Sequence, residues 1–425
     1  MSRIEARLQT IAVDPRPLSD HYSLCESEPL ERAAAAAEPL AGARVLYVSA
    51  VPLEAADISR SLVPLLRDLG LEVEWAVLHG DARFQLLARE LSDALRGARW
   101  DREQGEEGWR ELREACEGVA VASDLRRFDA IVAQGLAAGP LIEGRRSGAA
   151  AWTWRTGLDL SMPDPEAWDL VRPLLLDQGK LCFALPEFLP EGIGGERLRV
   201  VPGAFDPLGA AQRRLSAAEL SALVRGTGID PARPLVVDVT PLDHWADPLA
   251  VVEAWLLASR EASGLQLAFA GRIDHSDPEA ADVVAEVREF AGAADDLHLL
   301  GRLGPAALGA LTRVARCVVR SSLGEEFDPA LSAAHWRATA VVAGGASAHA
   351  QVKDGEDGFV VAGPEQSADR VAELATRPDR AVAMGRAGRE HARSRFSIAR
   401  LLADELETIG SLLAAGAPQR ASAIA

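Results

Sequence analysis

The chain has 425 residues, 48% of them hydrophobic and 25% charged, which is too long for one compact core and fits two or three globular domains. Acidic residues number 63 against 45 basic ones, a net charge of -18, so neither nucleic acid nor an anionic membrane surface is an expected partner. No apolar run approaches the ~18 residues of a membrane helix, and the opening MSRIEARLQT lacks the order of a secretion signal, so the cytoplasm is the expected location.

In chain order, the stretch 43–49 (ARVLYVS) is a short apolar run that reads as a strand. Helical apolar spacing follows over 58–70 and ends on a glycine, and 71–78 (LEVEWAVL) has the pattern of a second strand. That order is a βαβ unit, which implies a parallel sheet. Further strands are expected at 128–133, 149–154 and 180–184. The segment 201–208 (VPGAFDPL) suits a linker, and the rhythm restarts with strands at 235–239, 265–270, 297–300, 317–320 and 340–343. The expected fold class is α/β, with two Rossmann-like doubly wound domains facing a central cleft, at 1–205 and 206–393. A last helix within 394–425 is expected to cross back to the first domain and to fray from about residue 414.

Cys25, Cys116, Cys182 and Cys317 are scattered without C-x-x-C spacing, so buried free thiols are expected rather than a zinc site or disulfides, and no metal or cofactor is anticipated.

Two Rossmann-like halves joined by VPGAFDP resemble the GT-B glycosyltransferases. Local stretches narrow the likeness to the trehalose glycosyltransferring synthases: LSDHY at 18–22, EWAVLHG at 74–80, WTWRTGLDLS at 152–161, AAHW at 333–336, DGEDGFV at 354–360 and REHAR at 389–393. It spans about residues 15 to 410. The resemblance implies a retaining enzyme joining a nucleotide-activated glucose to glucose.

At the positions that the resemblance assigns to chemistry, the chain departs from the pattern. The glycine-rich turn after the first strand is Pro52, Leu53 and Glu54, and the acceptor-side H-D-P-Q-P begins at Gln134. In W-x-W-R-x-H-x-D, Trp152, Trp154, Arg155 and Asp159 remain while Gly157 replaces the histidine. The Arg and Lys that hold the donor diphosphate are Pro241 and Ala246. In E-G-F-G followed by a second Glu, Glu325 and Phe327 stay, Glu326 and Asp328 replace the glycines, and Ala333 replaces the second carboxylate. Pro and Ala supply none of the charge-assisted hydrogen bonds, each roughly 1.5–3 kcal/mol, that a diphosphate needs. Asp328 and Glu326 are expected to repel it, unless Arg272, Arg302 or Arg320 brings positive charge from elsewhere.

Simpler roles stand beside the functional ones. Arg155 holds an anion or stacks on its tryptophan neighbours. Glu325 contacts a hydroxyl-rich ligand or favours a helix N-terminus. Asp247 followed by Pro248 reads as a helix N-cap with proline at the first helical position. Two functions therefore remain open: a non-catalytic scaffold binding a sugar, a sugar nucleotide, a protein partner or a second copy of itself, or an active retaining glycosyltransferase with a rebuilt donor site.

Overall fold

The computed structural model describes residues 4–50, 56–144, 151–176, 179–239, 242, 244–271, 278–292, 294–301, 303–321 and 327–421. Seven strands build the first sheet: β1 (Ala6–Thr10), β2 (Arg44–Ala50), β3 (Glu72–Gly80), β4 (Ala130–Gln134), β5 (Ala151–Thr156), β6 (Lys180–Phe183) and β7 (Leu198–Val200). Their spatial order is β1-β3-β2-β4-β5-β6-β7, and all neighbours are parallel except β1 against β3. The second sheet holds β8 (Leu235–Asp238), β9 (Gln266–Phe269), β10 (Leu297–Leu299), β11 (Cys317–Arg320), β12 (Ala340–Ala343) and β13 (Gly358–Val360). It is parallel throughout in the order β10-β9-β8-β11-β12-β13, the doubly wound order of a dinucleotide-binding sheet.

Helices cover both faces of such sheets, so the strands must be apolar on both sides. The runs AIVAQ in β4, LVVD in β8 and AVVA in β12 are buried at every residue. The helix Ala56–Asp68 packs Leu62, Val63, Leu65 and Leu66 inward, and Gly70 at φ 93° turns the chain into β3. That left-handed conformation suits glycine because it has no Cβ to clash.

The chain divides into two compact units, Met1–Ala204 with Ile398–Ala425, and Phe205–Ser397. The boundary before the last helix lies four residues beyond the sequence expectation. Helix Pro378–Arg395 ends first, a break follows at Phe396 and Ser397, and helix Ile398–Ala421 then begins. This helix also runs past residue 414, where fraying was expected. Its Leu401, Leu402, Leu406, Ile409 and Leu412 are buried in the first unit's core with Tyr47, Leu62 and Val132. Fully burying each such side chain is worth roughly 1.5–3 kcal/mol. All four cysteines are buried and unbridged. No helix among the described residues is long and apolar enough to cross a membrane.

In the second unit, helix Pro378–Arg395 lies so close to the turn before β12 that a Cβ on Gly385 would sit 1.9 Å from the Ala338 carbonyl oxygen. The obstacle is backbone, which cannot swing aside. Gly385→Ala is expected to destabilise the second unit by about 2–3 kcal/mol, the upper part of the range for overpacking, read as a lower denaturant midpoint. A change below about 0.5 kcal/mol, typical of surface substitutions, would show that the helix can withdraw freely.

Candidate active site

In open parallel sheets ligands bind outside the carboxyl ends of the strands, where the strand order reverses. That point lies between β2 and β4 in the first unit and between β8 and β11 in the second. A separate concavity lined by Arg44, Arg67, Glu72, Glu74 and Arg127 sits at the opposite end of β2 and β3. Arg127 is paired there with Glu74, and the position away from the crevice makes it a poor candidate.

In the first unit, Pro52, Leu53 and Glu54 follow β2 and lie outside the described residues. Gln134 ends β4, is buried, and its Oε1 accepts the hydroxyls of Ser49 at 2.8 Å and Ser59 at 2.9 Å. Trp75 Nε1 in turn donates to Ser49 Oγ at 3.1 Å. The side-chain carbonyl of Gln134 is thus committed inside the fold.

Alternation along β5 separates residues that the sequence places side by side. Trp152 and Trp154 point to one face and are buried at 2% and 0% exposure. Trp154 Nε1 donates to the Gly135 carbonyl at 2.9 Å, and its ring meets Phe183 edge-on at 6.0 Å. Arg155 points to the other face, so the expected stacking on these tryptophans is corrected. Its guanidinium pairs with Glu405 of the last helix, whose other oxygen accepts the Tyr47 hydroxyl at 2.9 Å. Burial opposes the charge on Arg155, but Glu405 together with Cys182 and Tyr47 leaves the guanidinium above its ordinary pKa. Burial, with Glu405 beside it, pushes the Tyr47 phenol well up.

Asp159 is half-buried and its Oδ1 accepts the Ser161 amide at 2.8 Å, a local turn bond. Gly157 is exposed, and a Cβ there would meet nothing within 4 Å. The position of the absent histidine therefore has room for a side chain.

In the second unit, Pro241, Glu325 and Glu326 lie outside the described residues, as do Arg272 and Arg302. Ala246 is buried at 3% exposure. Asp247 adopts φ 45° and caps helix Pro248–Ala258, accepting the Ala250 amide at 3.4 Å and the Ser321 hydroxyl at 3.1 Å. Arg320, at the end of β11, does bring positive charge to the crevice. Its Nε donates to Asp328 Oδ2 at 3.0 Å and its Nη1 to the Ala246 carbonyl at 3.5 Å.

Asp328 itself is fixed from three sides. Its Oδ1 caps helix Pro329–Trp336 through the Ala330 amide at 2.8 Å. Gln351 takes its backbone amide at 3.0 Å and donates to its carbonyl at 2.7 Å. Asp328 is thus a paired cap, which corrects its reading as a free repulsive charge. Phe327 is buried with its ring centroid 5.7 Å from that of Phe396, and Ala333 lies half-buried within the same short helix.

A further group was not singled out from the sequence. His335, Asp357 and His391 converge in the second unit, with donor atoms all within 4.8 Å of one another. Burial pushes the His335 imidazole down to about 4, so it is neutral at pH 7. The signal was present in AAHW, DGEDGFV and REHAR, where each contributes one residue. Nothing in those spacings brings the three together.

A trehalose synthase of Rubrobacter xylanophilus is 30% identical over 418 residues, covering 96% of this chain and 99% of the relative. The chain belongs to the trehalose synthase family. A trehalose synthase of Pyrococcus horikoshii is 27% identical over 408 residues, covering 93% and 97% of the two chains. The family model "Trehalose synthase, N-terminal domain" matches residues 55–190. Among solved structures, sucrose-phosphate synthase from Thermosynechococcus elongatus gives a TM-score of 0.63 at 16% identity, covering 90% of this chain and all of that one. Anabaena HepE in complex with UDP and glucose gives 0.64 at 15%, covering 87% and 100%. These likenesses establish the GT-B fold, as the resemblance implied.

Proposed function

We propose that this trehalose synthase family member is a non-catalytic scaffold with a binding or regulatory role. The observation that carries the reading is the state of the family residues that survive. Trp154, Arg155, Asp159 and Phe327 each make contacts within their own unit, and Trp152 is buried in the first, so packing explains their retention without a substrate. Among the described residues, the positive charge that Arg320 brings to the second crevice is matched by Asp328. Electrostatic stabilisation of a leaving diphosphate is ordinarily the largest part of such catalysis, and a guanidinium already neutralised by a carboxylate offers little of it.

A second reading, an active retaining hexosyltransferase with a rebuilt donor site, is favoured by the near-complete coverage of trehalose synthases along both chains. A structural relative in complex with UDP and glucose makes a sugar nucleotide the ligand to try. The test incubates the protein with glucose and ADP-, GDP- or UDP-glucose, follows trehalose, and measures the thermal shift with each nucleotide sugar. No trehalose and no shift are expected. Any ligand at 100 times its dissociation constant should stabilise by about 2.7 kcal/mol, so a shift with turnover would overturn the scaffold reading in favour of the second.

A further inference from the structure

The geometry points to a metal site in the second unit, built by His335, Asp357 and His391 and suited to a divalent late transition metal such as zinc. Three separate elements supply it. His335 lies in the last turn of helix Pro329–Trp336, Asp357 in the turn entering β13, and His391 in helix Pro378–Arg395. One carboxylate faces both rings. His391 Nδ1 is 2.7 Å from Asp357 Oδ2, and His335 Nε2 is 3.8 Å from Asp357 Oδ1. His335 Nε2 also contacts the Asp357 carbonyl oxygen at 3.2 Å.

Two imidazole nitrogens and one carboxylate oxygen are the donor set of a zinc centre with a further position open to water. Donors around a tetrahedral zinc, bound at about 2.0–2.2 Å, lie roughly 3.3 Å apart; the present donor atoms lie within 4.8 Å of one another, so the side chains must draw together by up to about 1.5 Å to coordinate. The carboxylate is held for this role, because its Oδ1 accepts the Lys353 amide at 2.8 Å. Supporting contacts of this kind orient metal ligands. The chain also makes room for the His335 ring. A Cβ on Gly388 would lie 2.5 Å from His335 Cδ2, so the glycine one turn before His391 permits the approach. Side-chain exposures of 0% for His335, 1% for Asp357 and 9% for His391 place access on the His391 side. Bound there, the ion would tie both helices to the edge of the second sheet, a structural role independent of whether the crevice transfers sugar.

Stripping the full-length protein with EDTA and titrating it with cobalt(II) chloride tests the site. One equivalent should bind with the strong visible absorption of a tetrahedral ion, lack a thiolate charge-transfer band, and be displaced by zinc. His391→Asn and Asp357→Asn should each weaken binding at least about a hundredfold, the upper range for even outer-shell changes, with their melting temperatures measured in EDTA as the fold control. Should the variants fail to fold, zinc-soaked crystals of the parent decide, through an anomalous peak between the three side chains. Absence of stoichiometric binding, unchanged affinity in folded variants, or a peak elsewhere overturns the proposal.

Discussion

Glu405→Ala is expected to destabilise the first unit by about 3–5 kcal/mol, the usual cost of removing one partner from a buried ion pair. The carboxylate is 2% exposed, and its removal leaves the Arg155 guanidinium, itself 15% exposed, charged without that partner. The Tyr47 hydroxyl loses its acceptor at the same time, a further penalty for a buried donor. Glu405→Gln should cost less, because its amide oxygen can still accept one of these bonds. The double change Arg155→Leu with Glu405→Leu should recover most of the loss, since hydrophobic replacement of a whole buried pair is often neutral or stabilising. Urea unfolding followed by hydrogen exchange in β2 and β5 resolves the first unit separately. A loss below about 1 kcal/mol, the scale of exposed pairs, would mean that water reaches the pair. If the double variant were no better than Glu405→Ala, the pair would be needed for more than charge balance.

That ion pair also marks where sequence reasoning stopped. Long apolar runs such as LVVD at β8 and AVVA at β12 identify buried parallel strands locally, and the βα rhythm around them gives both halves. β1 was missed because ARLQT is an exposed-leaning edge strand, defined by its antiparallel partner β3 more than by its own residues. Tertiary context overrides weak propensity in such strands. The family motif W-x-W-R was legible as a pattern, but not its roles. Period-two alternation sends Trp154 and Arg155 to opposite faces, and the partner of Arg155 lies 250 residues away. The same limit hid the His335, Asp357 and His391 cluster, since each residue comes from a different element. At Asp328 the sequence showed a negative charge replacing glycine, while its meaning depended on Arg320 from the neighbouring strand end.

Asp328 therefore supplies the sharpest test of the second crevice. Asp328→Ala removes the carboxylate from Arg320, both side chains being 10% exposed, and removes the cap of helix Pro329–Trp336. Breaking such a pair costs about 3–5 kcal/mol, and the lost cap adds about 1 kcal/mol. Asp328→Asn should be milder, because asparagine caps well while leaving the guanidinium positive. That difference separates stability from binding. In Asp328→Asn, Arg320 can offer charge-assisted hydrogen bonds to an anion, so added pyrophosphate should raise the melting temperature of the variant and leave the parent unchanged. The paired gain would approach about 2.7 kcal/mol at 100 times the dissociation constant. If pyrophosphate stabilised the parent equally, Asp328 would not be neutralising the seat, and the active-enzyme reading would gain at the expense of the scaffold. If neither responded while Asp328→Asn stayed folded, the crevice would hold no diphosphate even with its charge released, because one guanidinium fixed against the Ala246 carbonyl does not replace a two-cation clamp.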